Sequence, residues 1–215
     1  MPVIDMPALV NQALTRLGPG AIFSVDDGSD LAKAVPNVWD LTVADAFSLH
    51  DWSWNRRTVK LSRLVTMPDV GWRYGYMLPG DRIGPPLGFT ERPGCRIRNY
   101  AIEGNAVFCD AATLYGQFNR VPDPSEWPLD FLDAFVTLLC ANLAVPVWQD
   151  QNLKADYTQE AVGAPSEKRS GGKFARVKAR DMSGEPLGSP LMEDDPLTAA
   201  RHAGTPYDFN WYGRF

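Results

Sequence analysis

Two histidines, His50 and His202, three cysteines, Cys95, Cys109 and Cys140, and 26 aspartates and glutamates are the side chains of this sequence best equipped for chemistry. Their spacing assembles little of it. Neither histidine has a cysteine or a paired carboxylate at metal-ligand spacing, so no zinc site is expected. Asp26, Asp27 and Asp30 lack the DxDxDG order and the later glutamate of a calcium loop, and read as helix-capping residues. No GxSxG elbow or Walker loop is present and no GxGxxG follows a strand, which leaves nucleophilic hydrolysis and nucleotide chemistry without support. Glu103 with Asp110 is a carboxylate pair of the kind that performs glycoside hydrolysis, but a chain with 26 acids offers such pairs freely and solvated surface acids are the simpler reading. The expectation is a protein with no catalytic residue, no metal and no cofactor.

Two other groupings have the chemistry of recognition. Lys168, Arg169, Lys173, Arg176, Lys178 and Arg180 form a basic block, which reads either as a solvated helix face or as a contact for phosphate. The segment 181–215 holds four prolines and four glycines and ends in Tyr207, Phe209, Trp211, Tyr212 and Phe215. Proline and glycine at that density remove helix and sheet options. Five large aromatics are nevertheless more apolar surface than a solvated tail carries, so the segment is expected to lie as an arm on a receiving surface. Fully extended, it reaches roughly 100 Å at ~3.3 Å per residue.

Composition bounds the body that carries this arm. At 215 residues, 45% hydrophobic and 11% aromatic, the chain buries a real core and is expected to form one domain with appendages. Lysine and arginine number 21 against 26 acids, and the net charge of -5 argues against a general nucleic-acid coat. The odd, scattered cysteines fit buried free thiols in a reducing compartment. Met1 to Leu9 has no basic flank and reads as no signal peptide. The longest apolar run, Phe131 to Trp148, contains Asp133, Asn142 and Pro146, so a core helix is expected rather than a membrane span.

Local patterns then place the elements. Pro7 to Leu17 predicts a short helix stopped by Gly18-Pro19-Gly20, and a second helix runs to about Leu49 with Pro36 either kinking it or marking its first turn. After Trp52 and Trp54 the period becomes alternating. Thr58, Leu61 and Val65 suggest a strand, and Trp72, Tyr74, Tyr76 and Leu78 share one face of another, expected to pack a small sheet onto the helices. A base-stacking platform is the alternative use of that face. Residues up to Glu103 are rich in glycine and proline, and Ala106 to Asp110 and Thr113 to Phe118 predict two strands around an Asp110-Ala111-Ala112 turn. Asp123-Pro124-Ser125-Glu126 has the form of a capping box. A preliminary turn and then a helix apolar on most sides follow, ended by Pro146, and Asp150 caps another helix carrying Leu153, Tyr157 and Ala161.

Asn11-Gln12-Ala13-Leu14-Thr15-Arg16-Leu17-Gly18, Asp26-Asp27-Gly28-Ser29, His50-Asp51-Trp52-Ser53-Trp54, the Trp72 to Asp81 strand with its W-x-Y-x-Y-x-L-P-x-D pattern, and Tyr115 to Asp123 occur in that order. This order resembles the head-to-tail connector, or adaptor, family of tailed bacteriophages, of the tail tubular protein A type, over residues 8 to about 162. The resemblance implies an α+β, mainly α protein: a bundle of about four helices with a small antiparallel β-sheet inserted between helices 2 and 3 at about 57–120. Residues 1–165 would form the body, 166–180 a basic linker or helix, and 181–215 the extended arm. Members of the family carry a fairly continuous last helix, which Pro165 and Gly171-Gly172 interrupt here.

The function so implied is that of a structural virion protein at the head-tail junction, assembled in the host cytoplasm. It is a ring of twelve copies that docks on the portal protein, extends the channel for genomic DNA and receives a downstream tail or nozzle protein, without catalysis and without a membrane. Tyr207, Phe209, Trp211, Tyr212 and Phe215 would be the portal-binding arm, and the Lys168 to Arg180 block a DNA or portal contact. Two other classes compete: a particle-associated cell-wall hydrolase using a carboxylate pair, and a nucleic-acid-binding module through Lys168 to Arg180.

Overall fold

A computed structural model of the chain describes residues 4–18, 23–24, 30–65, 71–92 and 95–184. The chain divides into a compact unit Met1–Met182 and a second unit Ser183–Phe215. The architecture is α+β, with five helices and two four-stranded antiparallel sheets between the second and third helices.

Helix α1, Met6–Leu17, starts where Asp5 Oδ1 accepts the Ala8 backbone N–H at 3.0 Å, and buries Leu9, Val10, Ala13 and Leu14. Helix α2, Asp30–Ser48, contains Pro36 in its interior, so this proline does not mark the first turn. Helix α3, Leu129–Trp148, is the axis of the bundle. Twelve of its 20 residues are buried, as a helix apolar nearly all round requires. It is long and apolar enough to cross a membrane, but 67% of its apolar stretch is buried within the protein, packed against the other helices. Two details of its start and end differ from the sequence pattern. The Asp123 side chain makes no cap bond, because Pro124–Glu126 forms an isolated 3-10 turn and the helix begins only after Pro128. Pro146 lies inside the last turn rather than terminating it, and the helix stops at Gln149, in the left-handed region at φ 54°.

Asp150 then accepts the Asn152 and Leu153 N–H groups and opens α4, Gln151–Val162. The break foreseen at Gly163 and Gly171-Gly172 is a tight reversal into α5, Gly172–Gly184. Gly171 N–H donates to Val162 O at 3.0 Å, and the Glu167 carboxylate lies over Gly163 and Gly171 while accepting the Ala164 N–H. No side chain fits there. A Cβ on Gly172, at φ 63°, would lie 2.6 Å from the backbone of Ala161.

The insertion is two sheets rather than the single one expected. Strands β1 (Arg56–Lys60), β8 (Tyr115–Arg120), β4 (Arg82–Arg92) and β5 (Cys95–Ile97) form the first; β2 (Ser62–Arg63), β3 (Tyr74–Met77), β7 (Ala106–Cys109) and β6 (Ala101–Glu103) form the second. Asp110 to Leu114 therefore carries the chain from one sheet to the other instead of closing a hairpin. Phe89 and Phe118 from the first sheet meet Tyr76, Val107 and Cys109 from the second, with Leu61, Leu78 and Leu114 at the crossings. This core is separate from the helical one. Tyr76 and Leu78 thus join sheet to sheet, and do not pack the sheet onto the bundle as the aromatic face suggested.

Trp52 and Trp54 mark the corner where bundle becomes insert. Trp52 is fully buried, stands edge-on to Phe131 and donates its indole N–H to Ala46 O. Trp54 meets Phe47 and Phe131 edge-on, so α2, α3 and the chain entering β1 share one aromatic cluster.

Candidate functional site

The basic block foreseen at 168–180 is broken up by its own neighbours. Arg169, in the left-handed region at φ 64°, turns back to pair with Asp45 of α2. Lys173 points into the bundle, where its Nζ lies 2.8 Å from Asp133 and 2.9 Å from Glu160 and donates to Thr137 Oγ1. Arg16 of α1 joins the same cluster, 2.7 Å from Asp133. Arg180 pairs with Asp130 at 3.2 Å. Burial lowers Lys178, and Arg169 beside it adds to the effect. Exposed Lys168 and Arg176 have no acidic partner among the described residues. Three of the six charges therefore stitch α5 and the turn before it to α2, α3 and α4. What remains outward is two separated cations, not a strip.

The shifts in the cluster follow from that geometry. The hydrogen bond from Lys173 is the main reason that the Asp133 carboxyl lies below its ordinary value, with partial burial opposing and Arg16 assisting. Burial lowers Lys173, but the hydrogen bonds and charges of Asp133 and Glu160 outweigh it and the net shift is upward. Nearby, burial pushes the Cys140 thiol up to about 11, and Cys109 in the sheet core is raised for the same reason. Neither is a reactive thiol at neutral pH. Cys95 is half-buried, and all three are free.

The end of α5 is fixed by Asp181, whose side chain is 6% exposed. It accepts the Ser53 N–H at 3.0 Å and the Ser53 hydroxyl at 2.6 Å, and His50 Nε2 lies 3.2 Å away. The Trp52 to Trp54 corner is thereby held from outside as well as from the core. His50 belongs to this joint, and the described residues hold no group of three metal ligands. His202, Asp26 and Asp27 lie outside the described residues, and so do all five arm aromatics, Tyr207, Phe209, Trp211, Tyr212 and Phe215.

Glu103 and Asp110 lie near opposite ends of the β6-β7 hairpin. Glu103 pairs in register with Ala106, and Asp110 follows Cys109 at the far end, about 14 Å along the strand at ~3.4 Å per residue. Paired hydrolytic carboxylates stand about 5 to 9.5 Å apart. Asp110 instead accepts the Arg73 backbone N–H at 3.0 Å.

Two open depressions have contrasting chemistry. One, of about 580 Å³, lies between the start of α1, α2 and the 121–125 segment; Trp39, Val121 and Trp127 give it an apolar floor, and Asp5, Asp40 and Asp123 an acidic rim. The other, of about 220 Å³, lies on the outer face of the first sheet, lined by Thr58, Gly88, Thr90, Arg96 and Gln117 and by no carboxylate.

That contrast reflects a segregation of charge which the block at 168–180 obscured. Between Arg56 and Arg120 ten lysines and arginines stand against five acids, a net of +5; the whole chain carries -5, so the residues outside this span sum to -10. The signal was present in the sequence, but it is spread over eight strands and never runs together. No protein-family model matches the chain and no curated protein matches it.

Proposed function

We propose that this chain is a structural virion protein, the ring-forming head-to-tail adaptor of a tailed phage or phage-like particle. The observation that supports it best is the order of parts: two helices, a β insertion entered through the Trp52 and Trp54 corner, then a long buried central helix. This order agrees with the plan that the sequence resemblance implies, with two small sheets in place of one. In this reading twelve copies dock on the portal, extend the channel for the genome and present the platform for a tail or nozzle protein. The aromatic arm, Tyr207 to Phe215, anchors each copy. A modest affinity per arm suffices, because one symmetric receptor engages all arms at high effective concentration.

The test mixes the purified chain with the portal protein of the same particle and views the product by electron microscopy. A ring on the narrow end of the portal is the expected result. Removing residues 206–215 should leave the bundle's melting unchanged but abolish stable attachment, and restoring the segment with Phe209, Trp211 and Tyr212 changed to Ser should not rescue it. A full chain that never associates with the portal sinks the adaptor reading. A truncated chain that still forms retained rings removes the arm from it.

A further inference from the structure

The outer face of the first sheet holds a cross-strand row that neither the basic block nor the arm accounts for. Lys60 on β1 is paired in register with Tyr115 on β8, Tyr115 with Thr90 on β4, and Thr90 with Arg96 on β5. Because side chains alternate across a strand, these four stand on one face of the sheet, opposite to Val59, Phe89, Ile97 and Phe118, which fill the core behind them. The adjacent row repeats the chemistry with Thr58, Gln117 and Gly88. Lys60 and Arg96 are both exposed, and neither has an acidic partner among the described residues.

Three features of this face fit one class of ligand. Each side chain of the first row is a hydrogen-bond donor, two of the four are cations and none is a carboxylate, so the row favours an anion over a cation. Cations sit at both edges with hydroxyls between them. Lys60 and Arg96 start from the two outer strands of the sheet, three spacings of ~4.8 Å apart, and Arg96 leans inward over β4, so both charges face one stretch of a polyanion's backbone, on an insertion whose net charge is +5. Gly88 keeps the middle of the face low: Arg96 lies across it with its guanidinium donating to Leu87 O at 3.2 Å, and a Cβ at Gly88 would stand 3.2 Å from that group. Arg96 is thus laid flat along the sheet. No lone surface lysine has this organisation.

We infer that the outer face of the β1-β8-β4-β5 sheet is a binding surface for the phosphate backbone of duplex DNA, with Lys60 and Arg96 as paired clamps and Thr90 and Tyr115 donating between them. The contact is sequence-independent, because nothing in the row is placed to read base edges. It assigns the nucleic-acid contact to the insertion, not to Lys168 to Arg180. It also goes beyond the adaptor reading without needing ring formation, since a single copy carries the whole row.

The test is fluorescence anisotropy of the full chain with a random-sequence DNA duplex of about 30 bp, titrated between ~50 and ~200 mM salt. Wild-type binding should weaken steeply with salt. K60E/R96E should weaken it on the order of 10-fold or more at ~50 mM and flatten the log-log salt slope by about 2, the loss of two phosphate contacts. K168E/R176E, altering the two exposed unpaired cations of the 168–180 region, should change it by less than about 2-fold. Circular dichroism melting controls for folding, and K60Q/R96Q replaces the charge-reversed variant if that one fails to fold. No binding at ~50 mM salt, binding unchanged in the sheet variant, or an equal loss in the helix variant would each overturn the assignment. The electron-microscopic portal assay contains no DNA, so failure of one reading leaves the other standing.

Discussion

The bundle and the insertion solve the burial problem in opposite ways. The bundle interlocks aromatics from distant parts of the chain: Phe47, Trp52, Trp54, Trp127, Phe131, Phe135 and Phe174 are joined ring to ring across four segments. The insertion closes a thinner core between two four-stranded sheets, with fewer large side chains and edges left open to water. Charge divides along the same line, since Arg16, Arg169, Lys173 and Arg180 of the bundle are bound to its own acids while the insertion retains Lys60, Arg63, Arg73, Arg92 and Arg96 without acidic partners among the described residues. A run of basic residues in sequence is therefore a poor guide to free charge. Pairing in the folded chain decides what a partner can feel.

The largest expected effect tests the claim that the aromatic corner holds the bundle together. Trp52→Ala removes a fully buried side chain that touches His50, Trp54, Phe131 and Phe174. It should cost about 3 to 5 kcal/mol in denaturant unfolding and lower the main melting transition. A loss below ~1 kcal/mol would mean that the corner is decoration on a bundle held elsewhere.

Tyr76→Ala is the matching probe of the insertion. Its ring is 2% exposed and its hydroxyl donates to Ala111 O at 2.6 Å, the bond that ties β3 to the crossing between sheets. The cost should be about 2 to 4 kcal/mol, and Tyr76→Phe should recover all but ~1 kcal/mol of it. Because the two cores are separate, hydrogen exchange should rise in β3 and β7 while amides of α3 keep their protection. Equal loss of protection in both regions would show that bundle and insertion unfold as one unit.

The same division explains how much could be read in advance. The two tryptophans, the all-round apolar α3 and the Asp150 cap were legible because each signal is local and periodic. Strands β4, β5 and β6 were not. They lie in the glycine- and proline-rich stretch after Pro79, and Gly84-Pro85-Pro86 interrupts β4 where its register against β8 shifts between Ile83 and Gly88. Pairing with β8, not propensity, makes that segment a strand. The basic block misled for a related reason: the partners of Arg180 and Arg169 lie 50 and 124 residues away, and no window along the chain contains them. The donor row of the sheet comes from four strands and exists only once their register is known.

A smaller effect contrasts the turns. Gly172→Ala places a Cβ 2.6 Å from Ala161 and Glu160 backbone atoms at a positive φ, and should cost roughly 1 to 3 kcal/mol while loosening α5. Gly104→Ala, in the β6-β7 turn at φ 58° with nothing within 4 Å, meets the backbone strain alone and should cost only ~1 kcal/mol. Equal costs in thermal melting would indicate that the α4-α5 reversal has room to adjust.

The smallest expected effect concerns pH. Asp133 is held below its ordinary value in the folded chain, first by the Lys173 hydrogen bond, so the carboxylate favours folding above its unfolded pKa of ~3.9 and that contribution disappears as pH falls through the lower folded value. Lys173 is shifted upward, so its share is complete below its unfolded value of ~10.4 and is lost only as pH rises through the higher folded one. The cluster is therefore intact across the neutral range and fails at the two extremes. Asp133 is 48% exposed, so screening limits its worth to less than ~1 kcal/mol. Asp133→Asn should lower stability slightly at pH 7 and flatten the acid limb of the stability curve, with wild type and variant converging as both enter acid. In the insertion, Asp81 lies 4.0 Å from Arg57 with both side chains more than half exposed, and Asp81→Asn should leave the curve unchanged within error. If the two variants trace the same curve, the buried side of the Lys173 cluster contributes no more than an open surface pair, and α5 is held to the bundle by Phe174, Val177, the Arg180–Asp130 pair and the Asp181 joint.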